Sequence, residues 1–390
     1  MLNINRLAKI DISVRQSAFL WGARKTGKST FLHKHFEQSV WYDLLKSDEW
    51  ARLTAQPHLL REEILALPEA SLKYPIIIDE IQKIPALLNE VHWLIENKKC
   101  HFILCGSSAR KLKQGAVNLL GGRAWKFNFY PFVYKEIANF NLIRALNHGL
   151  LPSHYLSDQP HRMLRAYVSD YLTLEIQAEG LVRNLPGFAR FIDLIGFCNG
   201  QMINYTNIAK DCAINAKTVR EYFHIIQDTL IGYLISPFFK RAKRDVISAT
   251  PKFYLFDVGV ATYLRKTKIE TLQGTEAGDA FEHFILMELM AFLGLHELDD
   301  GIHYWRSKNG LEVDFILNDG NCAIEVKMTQ NPALSDVTGL RAFCRDYQPQ
   351  HALVVCNAPR PRLLGTENGV KILALPWEEF LQALWLRKYY

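Results

Sequence analysis

Residues Gly22-Ala23-Arg24-Lys25-Thr26-Gly27-Lys28-Ser29 satisfy the pattern G-x-x-x-x-G-K-[ST] at every fixed position. The apolar run Ser17-Ala18-Phe19-Leu20-Trp21 before it predicts a buried strand, and Thr30-Phe31-Leu32-His33-Lys34-His35-Phe36 after it predicts a helix. Strand, glycine loop and helix in that order are the setting in which the pattern becomes a phosphate-binding loop. Its glycines let the backbone close on a phosphate with N–H groups turned inward, and the helix adds its positive N-terminal end. In that reading Lys28 bridges the β- and γ-phosphates of ATP and the Ser29 hydroxyl ligates Mg²⁺, with Ala23, Arg24, Lys25, Thr26 and Thr30 also at the nucleotide. The alternative is a glycine-rich turn that binds nothing.

The 390-residue chain is long enough for two or three domains with cores of their own. No window approaches eighteen uninterrupted apolar residues, so no membrane span or membrane partner is expected. Met1-Leu2-Asn3-Ile4-Asn5-Arg6 has no signal-peptide core, and the expected location is the cytoplasm. Seven cysteines are scattered without a Cys-x-x-Cys pair, which argues against a zinc cluster or a disulfide framework. A formal net charge of +6 is a mild basic excess, permissive for nucleic acid.

Downstream of the loop, Ser39-Val40-Trp41-Tyr42-Asp43 predicts a second strand, and Tyr74-Pro75-Ile76-Ile77-Ile78-Asp79-Glu80 an apolar strand ending in two acids. That is the Walker B arrangement: Asp79 is delivered to the surroundings of the magnesium, and Glu80 orients or deprotonates the attacking water. An aliphatic strand that ends in an exposed Asp-Glu is the competing reading. His101-Phe102-Ile103-Leu104-Cys105 predicts a further strand, followed by Gly106-Ser107-Ser108-Ala109-Arg110. Ser107 or Ser108 stands where AAA+ ATPases place a polar sensor of the γ-phosphate; helix capping fits these serines equally well. Arg123 follows Leu120-Gly121-Gly122 and precedes strand-like Phe127-Asn128-Phe129-Tyr130-Pro131-Phe132. Two roles stand for it, an arginine finger reaching a neighbouring subunit's nucleotide and an ion-pair arginine.

Residues 150–194 carry apolar side chains at helical spacing, among them Tyr167, Tyr171, Leu174 and Ile176. Two helices are then predicted, one over Tyr205–Cys212 and one from Ala216 to about Thr229, with strand-like Tyr233–Phe238 behind them. This is a winged helix-turn-helix signature. Lys217, Thr218 and Arg220 fall at the start of the second helix, and Lys240, Arg241, Lys243 and Arg244 fall in the wing. Contact with DNA phosphates and a plain solvated or oligomerising module are both open readings.

In Leu311–Lys327, LEVDFILNDGNCAIEVK, period-two alternation flanks Asp319-Gly320 and predicts a hairpin with a two-residue turn. That register sets Asp314 opposite Glu325 and Glu312 opposite Lys327, all on one face, with Val313, Phe315, Ile324 and Val326 on the core face. Two opposed carboxylates repel unless something positive lies between them, and a divalent cation answers that need. A solvent edge with Glu312 paired to Lys327 is the alternative.

The stretches GARKTGKST, IIIDEIQKIP, CGSSARKL, GGRAWKFNFYPF with Glu136, and PKFYLFDVGVATYL resemble a family of bacterial and archaeal AAA-type ATPases carrying a C-terminal domain of unknown function. The similarity runs over nearly the whole chain; Arg24-Lys25-Thr26 departs from the Pro or Arg followed by Gln-Val or Gln-Thr usual in relatives. It implies an α/β fold: a RecA-like P-loop domain (1–145), a helical lid with a winged helix (146–265) and a third α/β domain (266–390). It also implies ATP and Mg²⁺ as ligands. The hairpin resembles the active-site pattern of the PD-(D/E)XK nuclease superfamily, a restriction-endonuclease-like fold, although Val313 stands where a proline often precedes the Asp. That resemblance implies Mg²⁺ or Mn²⁺ on Asp314, Glu325 and Glu282 of the preceding helix, with Lys327 acting on water. Two functions are thereby expected in competition. One is an ATPase, DNA-directed and assembled as a homo-oligomer such as a hexameric ring, which works through a nuclease-like domain. The other is an ATP-regulated switch whose nuclease-like domain is inactive and serves for docking.

Overall fold

The computed structural model describes residues 4–12, 16–108, 120–172, 184–239 and 250–390. The four expected wing cations, Lys240, Arg241, Lys243 and Arg244, lie outside the described residues, as does the segment from Ala109 expected to be helical. The chain divides into two compact units, Met1–Phe132 with Ile225–Ile231, and Val133–His224 with Gly232–Tyr390.

The first unit is built on five parallel strands: β1 (Ser17–Trp21), β2 (Trp41–Asp43), β3 (Ile76–Asp79), β4 (Phe102–Gly106) and β5 (Ala124–Asn128), in the order β2-β3-β4-β1-β5. The inner strands β1, β3 and β4 are buried along their whole length, as strands of a parallel sheet covered on both faces are. Phe19, Ile76, Ile78, Phe102 and Leu104 enter one core, together with Leu53, Leu60 and Leu87. Ala18, Leu20, Ile77, Ile103 and Cys105 enter the other, against Phe31 and Leu32 of the helix Lys28–His35. Parallel pairing brings the carboxyl ends of three strands level, with Trp21 beside Gly106 and Asp79 beside Cys105. That edge is where open α/β sheets bind ligands.

The second unit starts with short helices whose first turns are capped by side chains. Asn141, Asn184, Asn204, Asn215 and Asp257 each accept the backbone N–H three residues on, which satisfies one of the donors a helix leaves open. The helices Tyr205–Asp211 and Ala216–Asp228 precede a sheet of β6 (Gln201–Met202), β7 (Gly232–Ile235) and β8 (Lys252–Leu255), in which β8 is the middle strand. After the long helix Gly274–Leu295 come β9 (His303–Arg306), β10 (Glu312–Leu317) and β11 (Cys322–Lys327), paired antiparallel. The helix Thr338–Tyr347 then crosses to β12 (His351–Cys356), which lies parallel to β11, and β13 (Arg362–Glu367) and β14 (Val370–Pro376) complete a mixed six-stranded sheet.

The hairpin register expected from Asp319-Gly320 is present: Phe315 pairs with Ile324, Ile316 with Ala323 and Leu317 with Cys322. Its turn is longer than expected. Asn318, Asp319 and Gly320 all have positive φ (51°, 48° and 88°), a region Asn, Asp and Gly tolerate, and the Asn321 N–H donates to the Asn318 carbonyl at 2.9 Å. The expected division of faces is corrected. Against β9 the register of β10 shifts between Val313 and Ile316, and these two residues, three apart, enter the same core. Phe315, expected beside Val313, lies 6.5 Å from the Tyr254 ring. Such a bulge is set by the partner strand, which the hairpin's own alternation does not report.

Glu288, on the long helix, is 1% exposed, and its carboxylate accepts hydrogen bonds from the Tyr134 N–H (2.6 Å) and Trp385 Nε1 (3.0 Å). Burial pushes its pKa up to about 8. The folded form therefore keeps a proton that the unfolded chain releases near the usual carboxylate value, so its contribution to stability is full at acid pH and is lost as pH rises toward 8. Glu288→Gln, neutral throughout, is expected to flatten this slope. Urea melts of both proteins at pH 5 and pH 8.5 check it; equal slopes would contradict it.

Candidate functional site

At the carboxyl edge of the parallel sheet, Gly22 passes so close to Phe129 that a Cβ would stand 2.4 Å from its carbonyl oxygen. Gly27 has φ 96°, a left-handed turn into the helix Lys28–His35. Between them the Thr26 hydroxyl donates to the Ala23 carbonyl at 2.8 Å and stiffens the loop. Lys28 is buried, and its ammonium folds back over the loop onto the carbonyls of Gly22 (2.7 Å) and Ala23 (3.0 Å). Lys25 and Thr30 are exposed, and Arg24 is half-buried.

Opposite the loop, the Ser29 hydroxyl donates to Asp79 Oδ2 at 2.7 Å. Two oxygen donors at that distance, beside a phosphate loop, suit a hard divalent cation. Glu80 is 7% exposed and takes a left-handed backbone, φ 59°, as the chain turns off β3. One of its oxygens, Oε2, accepts from Gln82 Nε2 and from the Ser107 hydroxyl, the latter at 3.3 Å, and Gln82 also donates to Ser107 at 3.2 Å. Arg24 Nε lies 4.0 Å from the other oxygen. Ser29 thus meets Asp79, and Glu80 meets Ser107, at the same edge, with Gln82, which the sequence did not single out, reaching Glu80 off that left-handed turn. Arg123 is ion-paired with Glu96 and bonds the Gly121 carbonyl at 3.1 Å.

The second unit gathers a cluster of charged side chains. Glu282 from the long helix, Asp314 from β10, and Glu325 and Lys327 from β11 come together there. Asp314 and Glu325 are buried, Asp314 Oδ2 accepts the Val326 N–H at 2.8 Å, and Lys327 Nζ lies 2.7 Å from Glu325 Oε1. The other oxygen, Glu325 Oε2, is buried without a hydrogen-bond partner. Two residues were not foreseen. Lys252 and Tyr254, at alternate positions of β8, both reach Glu282: Lys252 Nζ lies 3.6 Å from Glu282 Oε1 and the Tyr254 hydroxyl donates to it at 2.5 Å. Lys252 also contacts Glu312, which Arg306 holds at 2.7 Å. Glu312 therefore pairs with Lys252 and Arg306, not with Lys327 as the alternative reading had it.

Burial pushes the three inner carboxyls up. Glu282 reaches about 7, with the Asp314 charge adding to the effect of burial. Glu325 is driven well above the usual range by burial and then by Asp314, and Asp314 rises by burial against the pull of Lys252 and Lys327. The donors are hard oxygens, right in kind for Mg²⁺ or Mn²⁺. Their placement is not: among the described residues no group of three or more His, Cys, Asp or Glu side chains is arranged to hold a metal ion. Lys252 stands beside Glu282 and Glu312, and Lys327 on one oxygen of Glu325.

On the helix Ala216–Asp228, Lys217 and Arg220 are exposed, and the Arg220 guanidinium lies over the Tyr205 ring at 5.0 Å. All seven cysteines are free. Among the described residues no helix is long and apolar enough to cross a membrane.

Residues 14–138 match the family model described as an AAA domain. With the loop and the β3 acids in place, the chain carries an AAA-type P-loop ATPase domain. Residues 139–271 and 277–378 match two models described as domains of unknown function, DUF8612 and DUF4143. No curated protein matches the chain. Similar solved structures include a Walker-type ATPase of Pyrococcus abyssi, at 14% identity over 64% of this chain and 90% of that one, with a TM-score of 0.42. Another is the ORC1 protein of Aeropyrum pernix in complex with DNA, at 11% identity over 64% and 86%, with a TM-score of 0.23. A third is a signal transduction ATPase with a tetratricopeptide repeat sensor from Pyrococcus horikoshii, at 13% identity over 74% and 47%, with a TM-score of 0.20.

Proposed function

We propose that the chain binds ATP with Mg²⁺ at Gly22–Thr30 and hydrolyses it, and that hydrolysis acts on nucleic acid, DNA foremost, through the C-terminal domain. The observation that carries the ATPase reading is the Ser29–Asp79 contact at 2.7 Å, beside the buried Glu80 and the loop. Loop N–H groups and Lys28 receive the phosphate oxygens, with Lys28 exchanging the Gly22 and Ala23 carbonyls for β- and γ-phosphate. Mg²⁺, when bound, neutralises charge on the phosphate oxygens. Ser29 and Asp79 are the side chains that would hold it. Glu80 orients the attacking water and draws its proton, and Gln82 and Ser107 fix the carboxylate in place for that task.

Support for nucleic acid comes from the basic excess, from Lys217 and Arg220 exposed on one helix, and from an Asp and a Glu-x-Lys on adjacent strands of a mixed sheet. The rival, a switch with an inactive docking domain, is favoured by the lysines seated on the carboxylates. Phosphate release with and without duplex DNA at low salt, and Mn²⁺-dependent cleavage by wild type and Lys327→Ala, separate them. The first reading expects several-fold stimulation by DNA and cleavage that Lys327→Ala loses. If DNA neither binds nor stimulates, it fails and the switch stands.

A further inference from the structure

We infer that Lys252 is the resident cation of the carboxylate cluster and excludes divalent metal from it. This deepens the proposed function and rests on its reading of the Asp and Glu-x-Lys hairpin as the seat of Mn²⁺-dependent cleavage. Lys252 is 5% exposed, and a buried ammonium is costly unless it is paired. It meets two carboxylates, Glu312 in contact and Glu282 at 3.6 Å, and stands 5.5 Å from the Tyr304 ring.

The cation comes from a different element than the acids it neutralises. β8 is the middle strand of the three-stranded sheet, with Met202 on one side of Lys252 and Ile235 on the other. The same strand fixes Glu282 a second time through the Tyr254 hydroxyl. Lys327 takes one oxygen of Glu325 and leaves Oε2 buried without a partner, so the cluster keeps a donor that neither lysine satisfies. The oxygens are thus right in kind for a hard divalent ion, and a tethered positive charge beside them opposes its entry. Coulomb repulsion between an ammonium and a divalent ion a few ångströms apart exceeds a factor of ten in affinity even at the effective dielectric of a protein surface. Metal loading and the position of β8 are therefore linked: whatever draws this strand away from Glu282 opens the cluster.

The test is calorimetric titration of the full chain with Mn²⁺, in which an Asp314→Asn version of each protein subtracts binding at the phosphate loop. Lys252→Met keeps the apolar stem and drops the charge; its Asp314-dependent Kd is expected to be at least tenfold tighter than wild type, with Lys252→Arg within threefold of wild type. Should Lys252→Met unfold, Lys252→Met/Glu312→Gln restores the cluster's charge balance and carries the same expectation. Equal or weaker binding by the methionine variant overturns the role of Lys252, while Asp314-dependent binding by wild type would leave the cation-site reading intact. Absence of Asp314-dependent binding in every variant overturns both.

Discussion

Lys28→Ala is expected to lower ATP hydrolysis by about a thousandfold, the scale lost when one buried charge-stabilising donor is removed from a preorganised site. The lysine lies buried over the loop, on the Gly22 and Ala23 carbonyls, so its ammonium is already aimed where phosphate oxygens would replace them. Alanine leaves the loop its N–H groups and Gly27 its left-handed turn, and the helix Lys28–His35 gains a residue of good helix propensity. Loss of rate should therefore come without loss of fold. Phosphate-release kinetics with a thermal melt of the same sample check both halves; hydrolysis within tenfold of wild type would remove Lys28 from the site.

Glu80→Gln is expected to reduce turnover by about 10² to 10⁴-fold, the usual range for a positioned general base, while ATP is still bound. Glutamine keeps an oxygen to accept from Gln82 and Ser107 and needs no change of the left-handed backbone at this position. The difference is chemical: an amide does not take a proton from water. Retention of a fluorescent ATP analogue by equilibrium binding, measured next to single-turnover hydrolysis, separates binding from chemistry. Loss of binding in proportion to rate would make Glu80 a structural residue.

The phosphate loop and the Walker strand were legible because their chemistry is local: eight consecutive residues carry one pattern, and an apolar run buried on both sides points Asp79 and Glu80 at the same edge. Hairpin register was legible for a similar reason, since Asp319-Gly320 marks the turn whether two residues or four close it. What stayed hidden depends on distant chain. Gln82 meets Glu80 through a backbone turn that no pattern announces. The bulge at Asp314 and Phe315 is imposed by β9. Lys252 and Tyr254 sit in a strand whose other members, Phe253 and Leu255, are fully buried, and nothing near them in sequence names Glu282 as a neighbour. The charge beside Glu282 is supplied in the same way from a distance, by a lysine of another sheet.

The proposed Mg²⁺-dependent ATP site at Gly22–Ser29 with Asp79 is tested by phosphate release from the wild-type chain given ATP, with Mg²⁺ and again with excess chelator. Steady release is expected that stops when Mg²⁺ is withdrawn and is absent from Lys28→Ala. Release that persists in chelator, or that Lys28→Ala carries out at the wild-type rate, would contradict it.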